Sequence, residues 1–189
     1  MKRYILTGAP GAGKTTILHR LRADGFDVVE EAATAVIAHE QAGGDAEPWT
    51  RQGFVRKVVD LQRLRQMTSV TEGVTRQVYD RSPVCTHALS TYLGRPAPAA
   101  LLAEIDRVTR DRIYEPQVFF VRNLGFCEPT AARRISFEES LVFERVHEES
   151  YRRFGYDLVE VPAGDLADRV ALIADTIARL TEDVSGRGA

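Results

Sequence analysis

The sequence predicts an α/β domain in three layers, a doubly wound sheet of five parallel strands with helices on both faces, on three observations. Short apolar or β-branched runs alternate with amphipathic stretches along the whole chain, which is the pattern of a buried parallel sheet. At 189 residues, 44% hydrophobic and 28% charged, the chain has the length and the core material of one globular domain. A glycine-rich segment, Gly8-Ala9-Pro10-Gly11-Ala12-Gly13-Lys14-Thr15, stands at the first strand-to-helix junction. The same composition excludes a disordered tail, a collagen-like fibre and a disulfide scaffold.

The first strand is Arg3-Tyr4-Ile5-Leu6-Thr7, ended by Gly8. A helix follows from about Lys14, with Ile17, Leu18 and Leu21 on one face, and stops at Gly25. Phe26 to Val29 is the second strand; Ala32 to Ala42 is helical and ends at Gly43-Gly44. Thr50 to Thr71 reads as one long helix, because Phe54, Val58 and Leu61 recur at i, i+4, i+7. Thr75 to Tyr79 is the third strand. Ser82-Pro83 then supplies an N-cap and a first-turn proline for the next helix. Ala97 to about Arg110 is helical, and Gln117 to Val121 is a fourth strand buried on both faces. Ser136-x-x-Glu139 is a capping box opening a helix that stops near Gly155. Tyr156 to Val161 is the fifth strand, and Asp165 caps a last helix through about Leu180. The expected organisation is one domain over 1–181, with a lid-like segment over 122–135 and a flexible tail over 182–189.

The formal charge is −2, so no global field draws the chain to nucleic acid. Lys2, Lys14 and Lys57 are the only lysines among the 25 basic residues. No run of 18 apolar residues exists and the start, MKRYILTGAPGAGK, turns glycine-rich after four apolar residues, so neither a leader nor a membrane span is expected. Cys85 and Cys127 lack metal-ligand spacing and suit a reducing, cytoplasmic setting. His19, His39, His87 and His147 are scattered at helical positions without ligand spacing, so no histidine metal site is expected.

The glycine-rich segment matches G-x-x-x-x-G-K-[ST] at every fixed position. Background frequencies produce that pattern in roughly one chain in a hundred of this length, so its strand-to-helix context decides the matter. Gly8, Gly11 and Gly13 let the backbone N–H groups converge into a nest for phosphate oxygens. The helix opening at Lys14 adds its dipole. Lys14 would reach the β- and γ-phosphates, and the Thr15 hydroxyl would ligate Mg²⁺. Gly8 through Thr16 is therefore the expected nucleotide-binding segment, with ATP and Mg²⁺ as cofactors and GTP left open. A guanine-reading Asn-Lys-x-Asp is absent, since the fourth strand runs into Val121-Arg122-Asn123-Leu124. Charged residues then gather after the strands, where a doubly wound sheet collects its ligands: Glu30-Glu31, Asp80-Arg81-Ser82, and the arginines Arg122, Arg133 and Arg134. Alternation points Glu31 and Glu30 to opposite faces.

At TGAPGAGKTT, VVEEAA, VYDRSP, SFEES…H and FGYDLVEVP the chain resembles the P-loop kinases that include thymidylate kinase and deoxynucleoside kinases. It is similar, more closely, to the AAA-domain family typified by the ribosylnicotinamide kinase domain of the NadR protein and a related group of animal P-loop proteins. The resemblance covers nearly the whole chain and implies strand order 2-3-1-4-5. It implies Glu31 as the carboxylate that takes the acceptor's proton, a role open to a base within reach of a hydroxyl. It implies Asp80 as the carboxylate holding Mg²⁺ through water, beside Arg81, which can grip substrate or phosphate bidentately. From the lid it implies Arg133 as the catalytic arginine and Arg134 on the nucleotide, and it places Pro162-Ala163-Gly164 against the adenine ring. Ser82 is an N-cap and nothing more.

Two functional classes follow. One is a phosphotransferase moving the ATP γ-phosphate to a hydroxyl of a nucleoside-like or other small acceptor. The other is a nucleotide-binding module with little catalysis, whose bound state controls a partner. The expected partners are a nucleotide and a small acceptor, without membrane or nucleic acid; self-association as a homodimer is left open.

Overall fold

Every predicted strand pairs in parallel with its neighbours. The computed structural model describes residues 1–68, 73–126 and 135–185. β1 (Lys2–Thr7) is central, flanked by β3 (Arg76–Asp80) and β4 (Gln117–Val121); β2 (Asp27–Val29) and β5 (Asp157–Val161) form the edges. The order β2-β3-β1-β4-β5 is the one expected. Registers such as Leu6↔Asp80 and Leu6↔Phe119 bring the C-terminal ends of β1, β3 and β4 to one edge of the sheet, and the site is built there.

Helices cover both faces because side chains alternate along each strand. Tyr4, Leu6, Phe119 and Val121 pack with Ile17, Leu18 and Leu21 of α1 (Lys14–Ala23) and Val170, Ile173 and Ile177 of α7 (Leu166–Ser185). Ile5, Tyr79 and Val118 face the other way. They meet Val59 of α3 (Phe54–Thr68), Val84 of α4 (Pro83–Tyr92), Leu101, Ile105 and Val108 of α5 (Ala99–Arg110) and Tyr151 of α6 (Phe137–Arg153). Each fully buried aliphatic side chain contributes about 1.5–3 kcal/mol. A one-residue slip of β1 would exchange the two sets and lose that burial on both faces. α2 (Ala32–Ala42) joins through Ala32 and Val36, packed on Phe54 and Val58.

Several boundaries differ from expectation, each for a local reason. The helix expected from Thr50 starts at Phe54, because Pro48–Thr50 form a separate 3₁₀ turn and Arg51 is extended, with ψ 141°. Thr50 Oγ1 donates to the Glu47 carbonyl. The end expected near Thr71 lies outside the described residues. Phe26 stays outside β2 because its N–H closes α1 on the Leu21 carbonyl. α5 opens at Ala99, not Ala97, with Pro98 as N-cap; a residue before proline avoids helical dihedrals. Two of the predicted caps are present: Ser82 accepts from the Val84 N–H, and Ser136 and Glu139 form the reciprocal box. α7 runs to Ser185, past the expected stop near Leu180 and into the stretch expected to fray; Gly186 is the first strong breaker in sequence. Among the described residues no helix is long and apolar enough to cross a membrane.

Candidate active site

The phosphate loop is shaped by glycines at Gly8 and Gly13. At Gly8, φ is 141° and a Cβ would lie 2.3 Å from the Val121 carbonyl oxygen. Only glycine lets β1 leave the sheet so close to the end of β4. Gly13 takes φ 80° as the N-cap of α1. Ala9 and Ala12 are fully buried against the core, while Thr15 and Thr16 are exposed at the mouth. Lys14 corrects one expectation. Placed at a helix start, it reads as a surface residue, yet only 7% of it is exposed. Its Nζ donates to the carbonyls of Gly8 at 2.9 Å and Ala9 at 2.8 Å. Burial pushes its ammonium down to about 7; the Arg81 charge adds to this and Asp80 and Glu31 oppose it.

The end of β3 supplies the facing wall. Arg81 N–H donates to the Leu6 carbonyl at 3.0 Å, and its φ of 69° is left-handed. A non-glycine residue held there costs of order 1–3 kcal/mol, and such strain clusters at functional sites. That turn separates Asp80 and Ser82, ending the strand and starting α4 within two residues. Arg81 Nε lies 2.8 Å from Glu31 Oε1, an ion pair rather than an aligned hydrogen bond. Glu31 stands at the N-cap position of α2 without a side-chain cap bond, and it accepts from Thr34 Oγ1 at 2.8 Å. Glu30 turns outward to Arg22, at 3.1 Å, the face that alternation assigns it. Asp80 carries a buried Oδ1 with no hydrogen-bond partner, and burial pushes its carboxyl above the usual carboxylate range. An orphaned buried carboxylate oxygen suits a divalent cation. Asp80, with the open Thr15 hydroxyl, would hold Mg²⁺ here, and the ion would neutralise phosphate charge. Among the described residues no group of three or more His, Cys, Asp or Glu is placed to cage a metal; Mg²⁺ that arrives on a nucleotide needs only one or two protein ligands.

Beneath this turn lies a buried polar layer that the sequence does not announce. Tyr151 Oη is 2.7 Å from Ser82 Oγ and 3.1 Å from Cys85 Sγ, which is 3.1 Å from Thr7 Oγ1. Ser82 thus anchors the turn as well as capping α4. His147, fully buried, reaches Arg81: its Nε2 is 3.4 Å from Arg81 Nη1, and its Nδ1 is 3.0 Å from the Phe143 carbonyl. A carbonyl only accepts, so Nδ1 carries the proton and Nε2 is left as an acceptor for the guanidinium. Burial, then the Arg81 charge, pushes His147 down to about 3, so it stays neutral. It backs Arg81 as a neutral acceptor. The available signal is Phe143, His147 and Tyr151 at i, i+4, i+8 on the buried face of α6.

A small, partly open cavity lies beside Asp80 and Arg81, lined also by Gln62, Arg65, Tyr79 and Tyr114. Gln62 Oε1 is buried there without a hydrogen-bond partner.

Other expected residues lie elsewhere. Arg133 and Arg134 fall outside the described residues. Arg122, expected in the lid, is a brace instead: it pairs with Glu160 at 2.5 Å, Glu148 at 2.9 Å and Glu144 at 3.3 Å. Pro162, Ala163 and Gly164 form an exposed turn after β5. His87 packs edge-on against Phe154, centroids 5.0 Å apart, while His19 and His39 lie outside the core.

A glycine-shaped phosphate loop at the switch point of a 2-3-1-4-5 sheet has the fold of nucleoside and nucleotide kinases. Solved structures agree. The deoxyadenosine kinase of M. mycoides with products dCMP and dCDP superposes at TM-score 0.58 and 16% identity, covering 94% of this chain and 99% of that one. The thymidylate kinase of Ehrlichia chaffeensis does so at 0.59 and 11%, over 93% and 98%. That of Candida albicans does so at 0.57 and 9%, over 95% and 92%. No curated protein matches the sequence. The chain belongs to the AAA domain family whose model matches residues 3–169.

Proposed function

We propose that this protein is an Mg²⁺- and ATP-dependent phosphotransferase acting on a hydroxyl of a small, nucleoside-like acceptor. One observation carries the reading: Lys14, Glu31, Asp80 and Arg81, from three strand ends, form one electrostatic cluster whose Asp80 and Arg81 also line the cavity. Lys14 and the loop hold the phosphates, and Thr15 and Asp80 hold the cation. Glu31, oriented by Arg81 and Thr34, takes the proton from the acceptor hydroxyl as it attacks the γ-phosphorus. Arg81 and a lid arginine, Arg133 in our reading with Arg134 on the nucleotide, offset the charge that develops on the transferred group. The adenine ring packs at Pro162, and GTP is a candidate alternative donor. The working unit is a kinase domain over 1–181, in a cytoplasmic protein, monomeric or paired, close to the ribosylnicotinamide kinase domain among family members.

The test is acceptor-dependent ADP formation. Nucleosides, vitamins and antibiotics are screened by thermal shift with an ATP analogue, since a ligand of the folded state raises Tm. Each hit is then assayed for Mg²⁺-dependent turnover. A phosphorylated acceptor is the expected result. Slow ATP hydrolysis indifferent to every acceptor overturns the reading and leaves a nucleotide-controlled binding module, whose partner a nucleotide-dependent pull-down would seek.

A further inference from the structure

Arg169, on the second turn of α7, is 4% exposed although arginine stays charged inside proteins. Its Nη2 donates to the carbonyl of Ala12 at 3.0 Å and to that of Arg122 at 3.0 Å. The first belongs to the phosphate loop and the second to the exit of β4. A Cβ at Gly13 would lie 3.1 Å from Arg169 Nη1, so the guanidinium sits directly behind the loop and Gly13 leaves room for it. Its Nε is buried with no hydrogen-bond partner, and among the described ion pairs no carboxylate engages it. A buried cation held only by neutral carbonyls bears an uncompensated desolvation cost. An anion on the other side of a one-residue-thick loop would offset that cost. The first bond also ties the Ala12 carbonyl, and with it the loop's backbone, to α7.

We propose that Arg169 is a positioning residue of the nucleotide site, acting from behind the phosphate loop on the β-phosphate by its charge and by its hold on the Ala12 carbonyl. The inference rests on the loop's reading as a polyphosphate cradle. It adds a group that the motif G-x-x-x-x-G-K-[ST] does not contain, one 157 residues away in sequence.

The experiment measures AMP and ADP affinities by displacement of a fluorescent ADP analogue, in wild type, Arg169→Met and Arg169→Lys, with Mg²⁺ present. Wild type should prefer ADP over AMP. Arg169→Met, similar in length but uncharged, should shrink that preference about tenfold, the worth of one charge-assisted contact, with AMP affinity within threefold of wild type. Arg169→Lys should restore most of it. An unchanged ADP-to-AMP ratio in Arg169→Met makes the residue structural only and overturns the proposal. So does a lysine variant no better than the methionine one, or an equal loss for both nucleotides. Urea unfolding checks that the variants are folded; if Arg169→Met is not, Arg169→Gln gives the same ratio. Failure of wild type to bind the analogue would overturn the cradle itself, a result distinct from every variant outcome.

Discussion

The exits of β3 and β4 carry one arginine each, Arg81 and Arg122, at the point where a buried strand meets the ligand edge of the sheet. They do opposite things. Arg122 faces three carboxylates, Glu144, Glu148 and Glu160, and Glu144 also accepts from the Asn123 N–H at 3.0 Å. One cation among three anions repels phosphate. Arg81 faces Glu31, a neutral His147, and the partly opposed pair Lys14 and Asp80. There a polyphosphate with its cation finds compensating charge. Identity and position along the strand are the same; the helix packed above decides. α6 presents His147 to Arg81, and to Arg122 it presents Glu144, one turn earlier, and Glu148, the next residue along.

The largest effect that could break this contrast is expected at Lys14. Lys14→Ala removes the loop's ammonium and leaves the Gly8 and Ala9 carbonyls without their donor. Transfer should fall by roughly 10³ or more, as loss of a preorganised phosphate contact does, with the fold retained by circular dichroism. Wild-type turnover in this variant would mean that the β3 side does not process phosphate at all. Next in size is Glu31→Gln, which keeps the shape and removes the base. kcat should drop by about 10²–10⁴ with nucleotide affinity little changed. A rise in acceptor KM larger than the fall in kcat would make Glu31 a positioning group for the acceptor.

How far the sequence could be read follows the same divide. The loop from Gly8 to Thr15 is contiguous, so its chemistry is legible from spacing, and the strand order follows from resemblance to kinases of that topology. Asp80, Arg81 and Glu31 were findable as strand-end charges. Their pairing was not, because it depends on α2 and α4 starting directly after Glu31 and Ser82. Lys14 misleads for a related reason: helix starts are usually exposed, but this one is sunk below its own loop. Arg122 misleads because three glutamates on α6 and β5 reach it only after folding. His147 and Arg169 act across 66 and 157 residues, and no local pattern distinguishes them from ordinary buried positions of an amphipathic helix.

A matched pair of substitutions sharpens the contrast at intermediate size. Arg81→Lys keeps the charge but loses the planar fork that meets Glu31 and His147 together, so kcat should fall about 10–100-fold with stability little changed. Arg122→Lys loses the multidentate brace instead. Its cost should appear in urea unfolding, about 1–2 kcal/mol, between the exposed and buried extremes for ion pairs, with kcat within about threefold of wild type. The reverse outcome, a kinetic defect at Arg122 and a stability defect at Arg81, would exchange the two roles.

The smallest effect is a difference in sign with pH. Burial raises the Asp80 carboxyl above its unfolded value. The folded state therefore binds the more protons, and that contribution, complete below the unfolded pKa, is lost as pH rises through the folded one. Hydrogen bonding to Arg122 lowers the Glu148 carboxyl, with burial opposing. Its contribution is present above the unfolded pKa and is lost as pH falls through the folded one. Asp80→Asn should thus raise Tm relative to wild type on the neutral side of the acid range, while raising the Mg²⁺ concentration needed for nucleotide binding. Glu148→Gln should lower Tm near neutrality and converge on wild type in acid. For a chain of this length each kcal/mol moves Tm by about 2–4 °C, so the two curves, measured from about pH 3 to pH 8, should separate in opposite directions by a few degrees. Curves that run parallel would show that the two exits share one electrostatic character, and an unchanged Mg²⁺ requirement in Asp80→Asn would remove Asp80 from the cation site.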